Sequence, residues 1–478
     1  MSPKPVNRWA SVSPFDKLRT PSPSRGTPTP LSPICPVVRC CEPGTSRAAC
    51  AAAGQSATTT RRCILGAVIG SVLVAASPAQ EALERLSERL SYSMAGERVQ
   101  LKLSGTLELE GYAISDPVAD LVSGDQDIFF NPRLTLYLDA QLGTRGYFFA
   151  QGRIDRGFDV YAPEKETAAR LDEYALRWEL SEPGTGRLLL QAGRFATVVG
   201  NWTPRHGAWD NPFVTAPLPY DNLTGIWDVA PVRSVGVLLA WAHVSPVGSA
   251  RAVLANKQFR LPVIWGPAYA QGVALAGKWG RLEYAGELKA VGLSSRPERW
   301  DDGFSGTERP TGSVRVGWRP APSWNLGFSA SSGEYLDRTE HAKIPAGYDR
   351  HDYRQVVLAH DLSYAWHHFQ FWGEVFAARF EIPRIANMDT VAYYLEAKYR
   401  FTPQFSGAVR WSQQWFDDVT NRAGQTLGAG RQTWRIEVAP TYRLTTQTQL
   451  KLQYGLRHER PARERYTRSL SAQLTVRF

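Results

Sequence analysis

From Val99 to the C-terminus, apolar and polar residues alternate along the chain with a period of two, the pattern of strands with one oily and one wet face. In the first such stretch Val99, Leu101, Leu103, Leu107 and Leu109 fall on one side, and Gln100, Lys102, Ser104, Thr106, Glu108 and Glu110 on the other. In a later one Val391, Tyr393, Leu395, Ala397, Tyr399 and Phe401 oppose Tyr394, Glu396, Lys398 and Arg400. The final stretch sets Leu470, Ala472, Leu474, Val476 and Phe478 against Ser469, Ser471, Gln473, Thr475 and Arg477, and stops on an aromatic. A soluble sandwich alternates too, so period alone does not choose. The long apolar faces, and aromatics such as Trp178, Trp324, Trp366, Trp415 and Tyr442 near strand ends, favour a wall that meets lipid.

The pattern differs ahead of the strands. Leu83, Leu86 and Leu90 follow helical spacing among charges, which predicts a short periplasmic helical segment over residues 80–97. Arg61 and Arg62, the apolar run Cys63 to Ala76 and the small-residue site Ser77-Pro78-Ala79 read as a signal peptide over 61–79. That run is too short to span a bilayer comfortably as a helix. Residues 1–60, rich in Pro, Ser, Thr and Arg, read as a disordered extension or as sequence upstream of the true start.

These boundaries change what composition implies. Residues 1–79 carry nine of the 55 Lys and Arg and two of the 45 Asp and Glu, so the remainder has a formal charge of +3 rather than +10. Nucleic-acid binding loses its only support. All five cysteines also precede Ala79, which suits an oxidising periplasm and excludes thiol catalysis and cysteine metal sites from the rest.

Connections between the alternating stretches are tight and long in turn. The count is about 18 strands, with 16 as the alternative if the weak strand near Arg251 to Ala255 is absent.

The closing strand ending in Phe478, the signal, the alternating connections and one very long loop together resemble Gram-negative outer-membrane β-barrels of the porin type. The resemblance covers residues 98–478. It implies an all-β fold, a transmembrane antiparallel barrel in contact with outer-membrane lipid, with Phe478 part of the signal read by the barrel-assembly machinery. It implies passive diffusion of small hydrophilic solutes in the outer membrane of a Gram-negative bacterium, and a homotrimer as the assembly. No substrate motif of a subfamily is present, and no cofactor is expected.

The longest connection, Gly200 to Arg233, is dense in Pro, Trp and Asn and reads as a loop built to hold one shape. Folded inward it is the expected pore constriction, with Trp202, Arg205, His206, Trp209, Asp210, Tyr220, Asp221, Trp227 and Asp228 as its chemistry-bearing residues. A cap over the outer rim is the other reading. The four aromatics could form a stacking slide for sugars or simply pack the loop. Arg205, His206 and Asp210 offer too few converging ligands for a metal and no nucleophile, so no catalytic residue is assigned.

Arg153, Asp155, Glu396, Lys398, Arg400, Arg410, Arg435 and Glu437 are expected on the lumen wall. Bases gather toward the C-terminal strands and acids toward the N-terminal ones, which would set a field across the pore. Two other classes stay open. One is a barrel that sheathes a periplasmic electron-transfer or secretion partner. The other is a membrane-embedded hydrolase using one of His206, His341, His351 or His458.

Overall fold

The computed structural model describes residues 80–478 except 95–97, 117, 119, 123–126, 157–167, 182–185, 244–259, 301–309, 338–343 and 461–464. The extension and signal expected over residues 1–79, and the weak strand near 251–255, lie outside the described residues.

A helix, α1, runs over residues 80–89 and leads into β1 (Ser91–Met94). The wall then begins with β2 (Val99–Ile114), β3 (Ile128–Leu142), β4 (Gly146–Asp155), β5 (Ala168–Glu179) and β6 (Arg187–Phe195). After a long excursion come β7 (Ala270–Trp279), β8 (Leu282–Lys289), β9 (Thr311–Trp318), β10 (Trp324–Glu334) and β11 (Arg354–Trp366). Next are β12 (Phe369–Phe380), β13 (Met388–Arg400) and β14 (Phe405–Phe416), and a loop hairpin of β15 (Asp418–Thr420) and β16 (Thr426–Gly428). The wall ends with β17 (Gln432–Arg443), β18 (Thr448–Arg460) and β19 (Arg465–Arg477). Each wall strand pairs antiparallel with its neighbours and β19 pairs with β2, so 16 strands close on themselves, with β1 added to the 17-stranded sheet.

The wall therefore has 16 strands, the alternative count. The run VGVLLAWAH (Val235–His243, α3) is almost wholly apolar and does not alternate, and the Ser234 hydroxyl caps its start by accepting the Val237 N–H at 3.2 Å. Leu238, Leu239 and Ala242 are buried among the loops.

Closure is what lipid demands, since no water is present there to satisfy an open strand edge. The side chains invert accordingly. On β13 Leu395 is 57% exposed on the outside while its neighbour Glu396 is 2% exposed on the inside. Trp178, Trp279, Trp318, Trp324, Trp366, Phe401 and Tyr442 stand exposed beside the tight turns, an aromatic girdle at one membrane boundary. The described strands of the wall run from 8 to 16 residues, enough to cross the hydrocarbon when tilted.

The seam joins the first and last wall strands. Gly105 and Phe478 exchange both backbone hydrogen bonds at 3.0 Å, and below them β1 takes over the same edge of β2, Met94 facing Val99. The Phe478 ring lies directly on Gly105, where any Cβ would overlap it. Gly105→Val should therefore push the terminal ring off the seam and cost about 1–3 kcal/mol, as overpacking does. The expected readout is a lower temperature for loss of the compact band in unboiled gel electrophoresis; an unchanged transition would refute the seam contact.

Candidate functional site

After β6 the next described wall strand is β7, and the described residues 196–243 and 260–269 lie between them, off the wall. The first of these residues are tied to the inner wall nearby. Ala196 N–H donates to Glu173 Oε1 at 3.2 Å, and the Thr197 hydroxyl donates to Glu287 Oε1 at 2.6 Å. Gly200 then turns the chain across the barrel with φ at +78°, a conformation that favours glycine, and a Cβ there would collide with Glu374.

On the far side the loop meets inward-facing residues of β12 to β18 in sequence. Glu374 of β12 accepts the Asn201 and Trp202 backbone N–H groups and the Tyr220 hydroxyl, the last at 2.8 Å. Arg205 pairs with Glu396 of β13, donates to the Tyr394 hydroxyl at 3.1 Å and lies over the Trp372 ring. Thr215 donates to Glu437 of β17 at 2.7 Å, while Arg410 of β14 spans Glu437 and the Thr215 carbonyl at 2.7 and 3.0 Å. Asp221 pairs with Arg435 at 2.8 Å, and Asn222 bonds Gln414 and Arg457, each at 2.6 Å. Asp120, from the β2–β3 loop, joins Arg457 at 3.4 Å. Each buried charge on this wall thus meets an opposite charge or a hydrogen-bonding partner, the condition under which charges can leave water.

Two aromatic-lined cores complete the packing. Trp202 packs on Tyr220 at 4.6 Å and Tyr220 meets Phe376 edge-on at 5.6 Å. Closer to the long-loop end, Trp227 stacks on Trp241 of α3 at 4.3 Å, and Ile226, Trp265, Trp300, Tyr335 and Phe380 share one cluster. Asp228 sits in that region with Arg296 Nε at 2.7 Å, and burial pushes its carboxyl up to about 6. Trp227 and Asp228 are therefore apart from the residues crossing the barrel. The four loop aromatics form two packed groups and a separate Trp209 rather than a continuous slide.

Residues 204–210 differ from their neighbours: they are partly accessible, and Asp210 is exposed. His206 is close enough to Arg153, Asp172 and Arg133 to feel their charges, and Asp210 to Tyr137, which sets this stretch opposite β3 to β5. That wall carries a ladder of pairs. Arg133 joins Glu108 and Glu110 at 2.9 and 3.2 Å, Arg153 joins Asp172 at 2.9 Å, and Arg170 joins both Asp172 at 2.7 Å and Asp155. The three arginine side chains keep 22, 14 and 19% exposure, unlike Arg410 at 0%. Acids on the N-terminal strands are thus largely neutralised by arginines of the same wall, and the expected field is weaker there than charge counts suggest.

His206 is held neutral. Its Nδ1 faces the Thr203 carbonyl, which can only accept, so Nδ1 carries the proton and Nε2 accepts from the Tyr269 hydroxyl at 2.9 Å. Burial lowers its pKa to about 4. Of the other histidines considered above, His351 pairs with Glu334, His458 stacks on Trp434, and His341 lies outside the described residues. No cluster of metal-ligating side chains occurs among the described residues.

Sequence pattern alone does not reveal several of the working residues. Asp120 falls in a stretch that reads as a loop, and Arg170 and Asp172 in a strand whose phase shifts. The register of β4 against β5 slips between Gln151 and Gly152, so Arg170 and Asp172 as well as Glu173 and Arg177 face inward.

Among solved structures the chain resembles the outer membrane channel DcaP of Acinetobacter baumannii, with a TM-score of 0.50 at 9% identity over 81% of this chain and 99% of that one. The fold is that of a porin-type outer-membrane β-barrel. Salmonella typhi OmpF in complex with daunomycin aligns with a TM-score of 0.47 at 11% identity, over 81% of this chain and 100% of that one. An anion-selective porin from Comamonas acidovorans gives 0.47 at 11% identity, over 80% and 100%. No protein-family profile and no curated protein matches the chain in sequence. A porin-type barrel, oily outside and polar within, resides in the outer membrane of a Gram-negative bacterium.

Two variants test the loop anchors. Glu374→Ala orphans the Asn201 and Trp202 N–H groups and the Tyr220 hydroxyl, at about 1–3 kcal/mol for each group left unpaired; residues 200–222 should become cleavable by protease in the folded barrel, and continued resistance would count against the anchor. An imidazole free in water protonates near 6.5, whereas folded His206 stays neutral down to about 4. The unfolded state therefore binds more protons between these values, and the His206 contribution to stability, full above 6.5, is lost as pH falls toward 4. Asp228 shifts the opposite way, so the difference between wild type and His206→Gln isolates the effect: the variant should lose less stability on acidification from pH 7 to 5.

Proposed function

We infer that the protein is a porin, a passive channel for small hydrophilic solutes, in which residues 200–233 narrow the pore. The supporting observation is the contrast within the loop. Most of residues 200–203 and 211–222 are buried, chiefly against β12 to β18, whereas 204–210 all keep solvent access opposite the arginine–acid ladder of β3 to β5. Arg205, His206, Trp209 and Asp210 are then the eyelet. Trp202, Tyr220 and Asp221 are anchors rather than lining, and Trp227 and Asp228 belong to the packing above. Arg153, Asp155 and the pairs beside them form the opposite rim.

Such a passage is narrow, polar and lined by paired charges, so it discriminates by size more than by sign at this level. The fold shared with DcaP, an outer membrane channel, is in keeping with this reading. A sheath around a periplasmic partner would need an open lumen, which residues 200–222 leave little room for.

Purified protein in planar bilayers should give steady open channels in KCl. Removing residues 201–222 should raise single-channel conductance several-fold, since Arg410, Glu437 and Arg435 would hydrate in a widened lumen. Silence of the wild-type protein would end the channel reading, and an unchanged conductance after the deletion would end the role of the loop.

A further inference from the structure

Below the loop, at the end where the tight turns lie, one sector of the inner wall holds an excess of cations. Lys398 and Arg400 end β13, Arg443 ends β17 and Arg477 ends β19, all on inward-facing positions. Inward neighbours at this level on β14, β18 and β19 are Ser406, Ala408, Gln449, Lys451 and Thr475, none of them acidic. None of the four cations comes within ion-pair distance of a carboxylate among the described residues. Arg400 and Arg443 are exposed, and Lys398 and Arg477 partly so.

Trp209 organises two of them. The guanidinium of Arg477 lies 4.1 Å from the centre of its ring and that of Arg443 lies 5.6 Å away, so a single indole holds two like charges side by side. The peptide beneath that ring is fixed by Lys451, which donates to the Ala208 carbonyl, and by Gln449, which reaches the Ala208 and Trp209 carbonyls at 3.0 and 3.2 Å. Lys398 interacts electrostatically with Arg443, with Glu396 of its own strand and with Asp210, the loop carboxylate that Arg477 also feels. Like charges fixed this close repel, and a mobile counter-anion relieves the repulsion.

We propose that Lys398, Arg400, Arg443 and Arg477 around Trp209 form a subsite for small multivalent oxyanions, carboxylate or phosphate, on the turn-side face of the constriction. Arg477 uses one Nη2 donor on the Thr446 carbonyl at 2.9 Å, and its remaining donors and the fork of Arg443 match either oxyanion. The inference rests on the channel reading of the same lumen and adds a sidedness to it: the two mouths differ, because the wall of β3 to β5 carries its arginines already paired. Anions entering from the turn side meet the subsite before the eyelet.

The test is sided block of KCl current by inorganic pyrophosphate and, separately, by citrate. Wild type should be blocked at least about tenfold more strongly from one chamber, and Arg443→Gln/Arg477→Gln should remove that difference while KCl channels persist. Block by pyrophosphate alone or citrate alone supports the site and names its preferred oxyanion. Equal block from both chambers, or a variant blocked like wild type, overturns it. The Arg443 side chain donates no hydrogen bond among the described residues, so Arg443→Gln alone guards against a folding defect and should weaken block in the same direction. Calorimetric titration of pyrophosphate into detergent-solubilised wild type and double variant reads the subsite even if no current appears: binding that falls about tenfold in the variant supports it, and no binding to wild type overturns it.

Discussion

Lipid cannot hydrogen-bond to a peptide group, and this single constraint shapes the molecule. A sheet in that medium has to close, closure sends every second side chain outward into oil, and the residues left inside must be polar enough to hydrate or paired well enough to stay dry. The pairing of β19 with β2 satisfies the first demand, the alternation of Leu395 with Glu396 records the second, and the loop answers the third.

The third demand explains why the interior is so rich in paired charge. A wall carrying Glu374, Glu396, Arg410, Arg435 and Glu437 would be comfortable in an open aqueous lumen. Once the loop excludes water, each of those charges needs a partner of its own, and Asn201, Arg205, Thr215, Tyr220 and Asp221 supply them. A buried ion pair is a weak source of stability but a strong source of register, because a loop shifted by one residue would strand several charges at once. The loop is therefore fixed in place by the cost of misplacement more than by the gain of contact. Apolar packing of Trp202, Tyr220 and Phe376 adds the non-directional part.

Much of the architecture is legible in the residues. Alternation on β2, β13 and β19, aromatics beside tight turns and the placement of the long loop all follow from period two and from the chemistry of the interface. The apolar run of α3 fits a strand or a helix by length alone, and the capping Ser234 is the available clue. The loop is recognisable as a candidate constriction, but its partners are not. Asp221 meets Arg435 and Asn222 meets Arg457 across more than two hundred positions, and no local pattern encodes that. Asp172 is hidden by the bulge between Gln151 and Gly152, which reverses the phase from which inward positions are read.

The seam beside Phe478 has a consequence for how such a chain is made. β2 and its seam partner β19 lie more than three hundred positions apart, so the ring cannot close until β19 is in place. A chain lacking β19 would leave that edge of β2 as a hem of unsatisfied amides, ready to stick to other chains. Setting the earliest and latest spans of the cylinder on that one border makes intactness itself the condition for a sealed wall.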